Sequence, residues 1–196
     1  MYKKFFKRFF DIVFSFIAIP FFLILLTILA PLIYFSDKGS IFYNAPRLGK
    51  DGKVFKMYKF RTMKMNSPDI RNEDGSTFNS ENDSRLTKIG KLLRKTSIDE
   101  IPQILNVFNG DMSFIGPRPT MSNLSVEDYP KKYTKRFNVR PGITGYTQAY
   151  FRNSITQDEQ FSYDVLYSEE ISLYLDIKIF FKTIISILNF KNINRK

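Results

Sequence analysis

The stretch IVFSFIAIPFFLILLTILAPLIYF, residues 12–35, contains no charged side chain. A bilayer core takes about 20 apolar helical residues to cross, so this segment is read as membrane-embedded. A secretory signal would have a shorter apolar core and a small-residue cleavage site, and the surroundings of Ala30 and Pro31 offer no convincing one. Lys3, Lys4, Lys7 and Arg8 precede the segment. Lys38, Arg47, Lys50, Lys53, Lys56, Lys59, Arg61 and Lys64 follow it, against only Asp37 and Asp51. Positive charge at both ends favours the same side of the membrane for both.

Pro20 interrupts the run. An interior proline removes a backbone hydrogen bond and clashes with the preceding turn, costing on the order of 3 kcal/mol in a straight helix. Two arrangements fit: a helix-break-helix that enters the membrane and returns to the same face, or an ordinary kinked spanning helix. Either leaves a carbonyl near Phe16 in need of a partner, and Ser15 is the nearest hydroxyl.

The remainder suits one compact domain. The chain has 196 residues, 43% of them hydrophobic, which is enough for one core. Lys and Arg outnumber Asp and Glu by 30 to 19, and the net charge of +11 points to a phosphate-bearing partner: nucleic acid, anionic lipid or nucleotide. Neither Cys nor His is present. That excludes a disulfide framework and a thiolate nucleophile, fits a reducing compartment, and argues against zinc catalysis. Acid, base or nucleophile must come from a carboxylate, Lys, Tyr or an activated hydroxyl.

Residues 40–43 and 54–60 are rich in aromatic and β-branched side chains, and Gly49-Lys50-Asp51-Gly52 between them predicts a hairpin. Residues 66–84, polar and acidic, read as a mobile loop able to close over a ligand. Leu86, Ile89, Leu92 and Leu93 recur at helical spacing beside Lys88, Lys91, Arg94 and Lys95, with Asp83 or Ser84 as cap. This basic amphipathic helix suits a membrane surface, or equally a solvated face over a core stripe. Residues 98–108 and 126–137 predict two more helices, the first stopped by Asn109-Gly110. Gly116-Pro117-Arg118-Pro119 between them cannot be helical. Residues 171–190 are apolar but carry Asp176, Lys178 and Lys182, so an amphipathic helix on the membrane or on the domain is expected.

The chemistry concentrates in Arg94-Lys95-Thr96-Ser97-Ile98-Asp99-Glu100-Ile101-Pro102-Gln103. Side chains of consecutive helical residues point about 100° apart, so Asp99 and Glu100 would not face one another in mid-helix. At a helix start, Ser97 and Glu100 match the S/T-x-x-E capping box, a purely structural use. The same geometry supports a functional one, because a helix N-terminus binds phosphate and favours an ionised carboxylate, which can be a nucleophile. Arg94 lies upstream, and Arg118, Arg140 and Arg152 sit in irregular surroundings where their forks could match phosphate oxygens. Two carboxylates beside phosphates also invite Mg²⁺.

These segments resemble the bacterial sugar transferases, the monotopic polyprenyl-phosphate phosphoglycosyl transferases. The matching motifs are Phe42-Tyr43 with Arg47-x-Gly49, Tyr58-Lys59-Phe60-Arg61-Thr62-Met63, and residues 92–103. Leu105-Asn106-Val107, residues 110–119, Arg140-Pro141-Gly142-Ile143-Thr144-Gly145 and Asp176-Ile177-Lys178 follow in order. The resemblance implies an α+β, mostly helical fold: a re-entrant membrane helix broken at Pro20 within residues 1–36, and a cytosolic catalytic domain, 37–196, with a short β-hairpin and amphipathic surface helices. It implies a bacterial inner-membrane enzyme working at the cytoplasmic face. A UDP-sugar would donate sugar 1-phosphate to polyprenyl (undecaprenyl) phosphate, UMP would leave, and Asp99 would carry a covalent phosphosugar. Glu100 would assist. Mg²⁺ would sit near Asp99, and Arg94, Arg118, Arg152 and Lys59 would bind phosphate. Membrane lipids are implied as partners; nucleic acid is not. The length resembles the minimal catalytic form of such enzymes. Tyr146 and Tyr150-Phe151 depart from the family pattern before Arg152-Asn153, which would bear on selectivity for the nucleotide sugar. The rival readings are a membrane-anchored basic scaffold or nucleic-acid binder without catalysis, and a glycosyltransferase or phosphatase releasing UDP or inorganic phosphate.

Overall fold

The structure is a computed structural model, described here for residues 1–70, 78, 80, 83–152 and 154–188. Most of the loop expected over 66–84, and Asn153, lie outside these residues. The chain is a mostly helical α+β fold. After a π turn at Tyr2–Phe6 comes helix α1, Lys7–Asp37, which runs through Pro20 and Pro31 without interruption. Among the described residues this is the one helix long and apolar enough to cross a membrane. Ser15 does not serve Phe16. Its hydroxyl donates to the carbonyls of Asp11 and Ile12, at 2.6 and 3.0 Å.

Strands β1, Phe42–Leu48, and β2, Val54–Phe60, form the expected hairpin, closed by a 3₁₀ turn at Lys50–Gly52. The register runs from Phe42 opposite Phe60 to Leu48 opposite Val54. β1 reaches further than expected because it tolerates Pro46. The short β4, Thr120–Met121, pairs only with Arg47 and Leu48, so Pro46 lies where β1 is an edge strand.

Helix α2, Lys88–Thr96, is capped by Thr87, whose hydroxyl accepts from Gly90 N–H, rather than by Asp83 or Ser84. Asp83 is instead held against Arg85, 2.7 Å away. The helix expected over 98–108 divides into a 3₁₀ turn, Ile98–Glu100, and α3, Gln103–Asn109, because Pro102 has no N–H to continue the first. Gly110 ends α3 at φ 95°, a left-handed cap that glycine adopts without strain. The helix expected over 126–137 is two 3₁₀ segments, Val126–Asp128 and Lys131–Asn138, parted by Tyr129, which Pro130 holds extended. β3, Ser113–Ile115, pairs in parallel with β5, Gly142–Thr144. Helices α4, Tyr146–Tyr150, α5, Gln157–Glu170, and α6, Leu173–Leu188, complete the chain.

The apolar N-terminal helix shares the core of the rest of the fold. Phe22, Leu29 and Ile33 of α1 are buried with Phe60 of β2 and Leu93 of α2. Burying side chains of this size contributes about 1.5–3 kcal/mol each, so the contact is more than a tether. Both ends of α1 are fastened to the same body. At one end Arg8 donates to the carbonyls of Val107 and Phe108, and Asp11 accepts from Ser113 Oγ and Phe114 N–H. Tyr2, Lys7 and Tyr167 meet on Asp176 at 2.6–2.7 Å. At the other end Arg61 pairs with Asp37 at 2.6 Å and donates to Ile33 O. The opposite face of α1 exposes Phe14, Phe16, Phe21, Ile24 and Phe35. α6 exposes Tyr174, Phe181 and Leu188 while burying Ile179.

Candidate active site

Helix α2 stops because Ser97 turns left-handed, φ 59°, with its N–H donating to the Arg94 and Leu93 carbonyls. The chain then makes the single 3₁₀ turn carrying Asp99 and Glu100, and Pro102 precedes α3, where a missing N–H costs nothing. Successive side chains on such a turn point about 120° apart. Asp99 therefore enters the interior, 8% exposed, while Glu100 reaches β2. The capping box expected of Ser97 and Glu100 does not form. Ser97 is spent as the cap of α2, and the Glu100 carboxylate accepts from Lys59 Nζ at 2.5 Å.

The two neighbouring carboxyls are driven apart. Burial pushes Asp99 up to about 6 and Glu100 adds to the rise, against the lowering influence of Lys59 and Arg94. Burial would raise Glu100 as well, but Lys59, Arg118 and Arg152 outweigh it and hold this carboxyl below its usual range. Glu100 is thus the settled anion and Asp99 the one that titrates near neutrality. Among the described residues Asp99 has no ion pair, so its oxygens are not committed to a cation of the protein.

Four of the expected cations act on the acidic pair, each from a different element. Lys59 comes from β2. Arg94 comes from α2, its Nε donating to Thr62 Oγ1 at 3.0 Å. Arg118 lies in the turn between β3 and β4, its side chain exposed and its charge acting on Glu100. Arg152, left-handed at φ 52°, follows α4 and also acts on Glu100, while its N–H donates to Thr147 O. Arg140 is different: its Nε donates to the Gly110 carbonyl at 2.7 Å, a brace for the end of α3. Lys59 and Arg94 act on the buried Asp99 carboxyl, and Arg118 and Arg152 on its neighbour Glu100, so positive charge is concentrated at this acidic pair.

Sequence reasoning passed over Gly90. A Cβ there would lie 1.9 Å from Thr62 O, so only glycine lets α2 lie close enough for Arg94 to reach Thr62. A glycine inside a helix of good formers was the available signal. Just before Arg152 in the chain, Tyr146, Tyr150 and Phe151 form a compact ring cluster with Tyr163, in which Tyr150 and Phe151 are also in contact, 6.4 Å between centroids. Tyr150 and Tyr146 are 4.6 Å apart, Tyr146 and Tyr163 5.4 Å, Tyr163 and Phe151 4.9 Å. Among the described residues no group of three metal-ligating side chains occurs. Mg²⁺ usually takes one or two protein carboxylates and completes its shell with water and substrate phosphate, and Asp99 fits that use.

The sequence has relatives. Residues 2–190 match the family described as bacterial sugar transferase. The exopolysaccharide production protein ExoY of Rhizobium meliloti is 38% identical over 189 residues, covering 91% of this chain and 83% of that protein. A UDP-N-acetylgalactosamine-undecaprenyl-phosphate N-acetylgalactosaminephosphotransferase of Aeromonas hydrophila is 40% identical over 94% of this chain. An undecaprenyl-phosphate galactose phosphotransferase of Salmonella typhimurium is 37% identical over 92%. The chain spans 44% and 40% of the length of these last two. With a family match over nearly its whole length and these identities, the chain belongs to the bacterial sugar transferase family.

Proposed function

We propose that this protein transfers a sugar 1-phosphate from a UDP-sugar to polyprenyl phosphate at a membrane surface, with Asp99 as the nucleophile. The observation that carries this is the buried Asp99 carboxylate, free of any ion pair among the described residues, with Lys59 and Arg94 acting on it and Arg118 and Arg152 acting on the adjacent Glu100. Relatives named as undecaprenyl-phosphate galactose and N-acetylgalactosamine phosphotransferases support the reaction class.

An Asp99 oxygen attacks the β-phosphorus of the donor. The bond from that phosphorus to the bridging oxygen breaks, UMP leaves with the electron pair, and the sugar phosphate remains on Asp99. A phosphate oxygen of the polyprenyl phosphate then attacks the same phosphorus, releasing the lipid-linked diphosphosugar and restoring the carboxylate. Lys59 and the three arginines neutralise the charge that builds on the phosphoryl oxygens. Glu100 assists by holding Lys59 in place. When bound, Mg²⁺ held by Asp99 and the donor phosphates would supply further neutralisation of the diphosphate. The ring cluster formed by Tyr146, Tyr150, Phe151 and Tyr163, which precedes Arg152 in the chain, would bear on which donor is accepted.

The membrane reading is a re-entrant anchor, residues 1–36, with the catalytic part on the cytoplasmic face of the bacterial inner membrane. It is supported by the attachment of both ends of α1 to one body, through Arg8 to Val107 and Phe108, and through Arg61 to Asp37. A spanning helix would place those ends on opposite faces. The test is mass spectrometry of detergent-solubilised protein with Mg²⁺ and a panel of UDP-sugars, with UMP release followed in parallel. A phosphosugar adduct on wild type and none on Asp99→Asn is expected. Release of UDP or inorganic phosphate, or no product from any donor, would remove the reading.

A further inference from the structure

Arg136 and Asp164 form a buried ion pair. Arg136, in the 3₁₀ segment Lys131–Asn138, is 2% exposed and Asp164, on α5, is 1% exposed. Their Nη2 and Oδ2 atoms are 2.6 Å apart. Rings close the guanidinium in, with the Phe161 centroid at 4.4 Å and that of Phe137 at 5.2 Å. A dry pair like this is expensive to bury and is a weak stabiliser compared with apolar packing, so its presence calls for another account.

The account lies in the second bond that Nη2 makes. It donates to the backbone carbonyl of Arg118 at 2.8 Å. Arg118 stands between Pro117 and Pro119, whose rings restrict the backbone on either side. The two preceding residues are pinned as well: Gly116 N–H donates to Thr144 O, and Pro117 O accepts from Gly142 N–H, both at 2.9 Å. Three consecutive residues are therefore held by their backbones, and the last is held by a charged side chain that Asp164 locks. The Arg118 side chain, by contrast, is exposed and acts on Glu100. Arg118, Thr120 and Arg136 also line a cavity of about 10 Å³, room for one water. Thr120 Oγ1 and Arg136 Nε, both buried, have hydrogen-bonding capacity to spare.

We propose that Arg136 and Asp164 are positioning residues that set Arg118 at the phosphate site, an inference that rests on the phosphate role given to Arg118 above. They touch no reacting atom. Their contribution is to fix the backbone from which the Arg118 fork projects, so that the fork meets the phosphoryl oxygens without a search.

The test is a double-mutant cycle on donor-dependent UMP release, with hydrogen exchange measured on the peptide covering residues 116–121. Asp164→Asn should lower kcat/KM for the donor about tenfold and speed exchange of that peptide. In an Arg118→Ala background the same change should add nothing. Because one partner left alone could unfold the chain, the pair is also replaced together. Arg136→Met with Asp164→Leu leaves no lone charge, and it should keep a cooperative melt while showing the same tenfold loss. Equal losses with and without Arg118, or exchange of 116–121 unchanged in either variant, would overturn the positioning role. Wild-type protein that releases no UMP would instead remove the reaction reading, and the exchange data would still decide whether the pair holds Arg118.

Discussion

Lys59 Nζ lies 2.5 Å from Glu100 Oε1, and Asp99, the adjacent carboxylate, has no ion pair among the described residues. That lysine, together with Arg118 and Arg152, keeps Glu100 charged, and it leaves Asp99 without an ion-pair partner among the described residues. Lys59→Met should lower kcat/KM about a hundredfold, since it strips a cation from the phosphate site and unpairs Glu100. Glu100→Gln in the same chain should cost much less than it does alone, with a coupling of about 1–3 kcal/mol in steady-state kinetics. Strict additivity would mean that the pair does not operate as a unit.

Asp99 carries a cost in stability. Its carboxyl is raised from 3.8 to about 6, largely by burial, so between those values the folded protein holds more protons than the unfolded chain. Stability then falls as pH rises through that window, and the ionised group costs up to about 3 kcal/mol above it. Asp99→Asn, in detergent with a chelator present, should melt above wild type at pH 7.5, and the advantage should shrink toward pH 4.5. An Asn variant that melts no higher at pH 7.5 would show that the buried carboxylate is not strained.

Gly90 sets the distance between α2 and Thr62. With a Cβ 1.9 Å from a carbonyl oxygen, Gly90→Ala must displace one or the other and part Arg94 from Thr62. UMP release should fall at least tenfold, with about 1–3 kcal/mol of stability lost to overpacking. Lys91→Ala, at the next and exposed position, should behave like wild type in the same assay.

Ser97 at φ 59° is the hinge that lets α2 end and the acidic turn begin. Ser97→Gly should fall within about 0.5 kcal/mol of wild type in unfolding experiments. Ser97→Val, with a branched Cβ in the left-handed region, should lose about 1–2 kcal/mol. Equal effects from the two would place the strain elsewhere.

The topology can be read with a label, because the natural chain has no cysteine to confuse it. Single cysteines in place of Lys4 and Lys38 should react with a membrane-impermeant maleimide from the same side of sealed vesicles. Reaction from opposite sides would sink the re-entrant arrangement.

Much of this was open in the sequence. The apolar run over 12–35, the hairpin, the basic amphipathic α2 and the acidic pair are local patterns of period, turn chemistry and charge, and such patterns survive without knowledge of distant partners. Where the reading went astray, a local rule met a competing demand. Ser97 and Glu100 satisfied the capping-box pattern, but the left-handed turn at Ser97 and the amine of Lys59 took both groups for other uses. Residues 126–137 showed helical character, yet Pro130 divided them. Arg140 had the same credentials as Arg118 and Arg152, and went instead to the Gly110 carbonyl.

By itself, then, the sequence determined that residues 12–35 make a charge-free apolar stretch long enough to cross a membrane, that positive charge flanks it on both sides, and that Asp99 and Glu100 sit where a helix begins, because each follows from neighbours a few residues apart. The tertiary structure alone decided that Phe22, Leu29 and Ile33 complete the catalytic core. It alone decided that Lys59, dozens of residues away, meets Glu100 and leaves Asp99 uncommitted. The physical reason is long-range: burial raises both carboxyls, the charges of Lys59, Arg118 and Arg152 pull Glu100 alone back below its usual range, and both burial and charge placement come from the packing of distant segments rather than from any one of them.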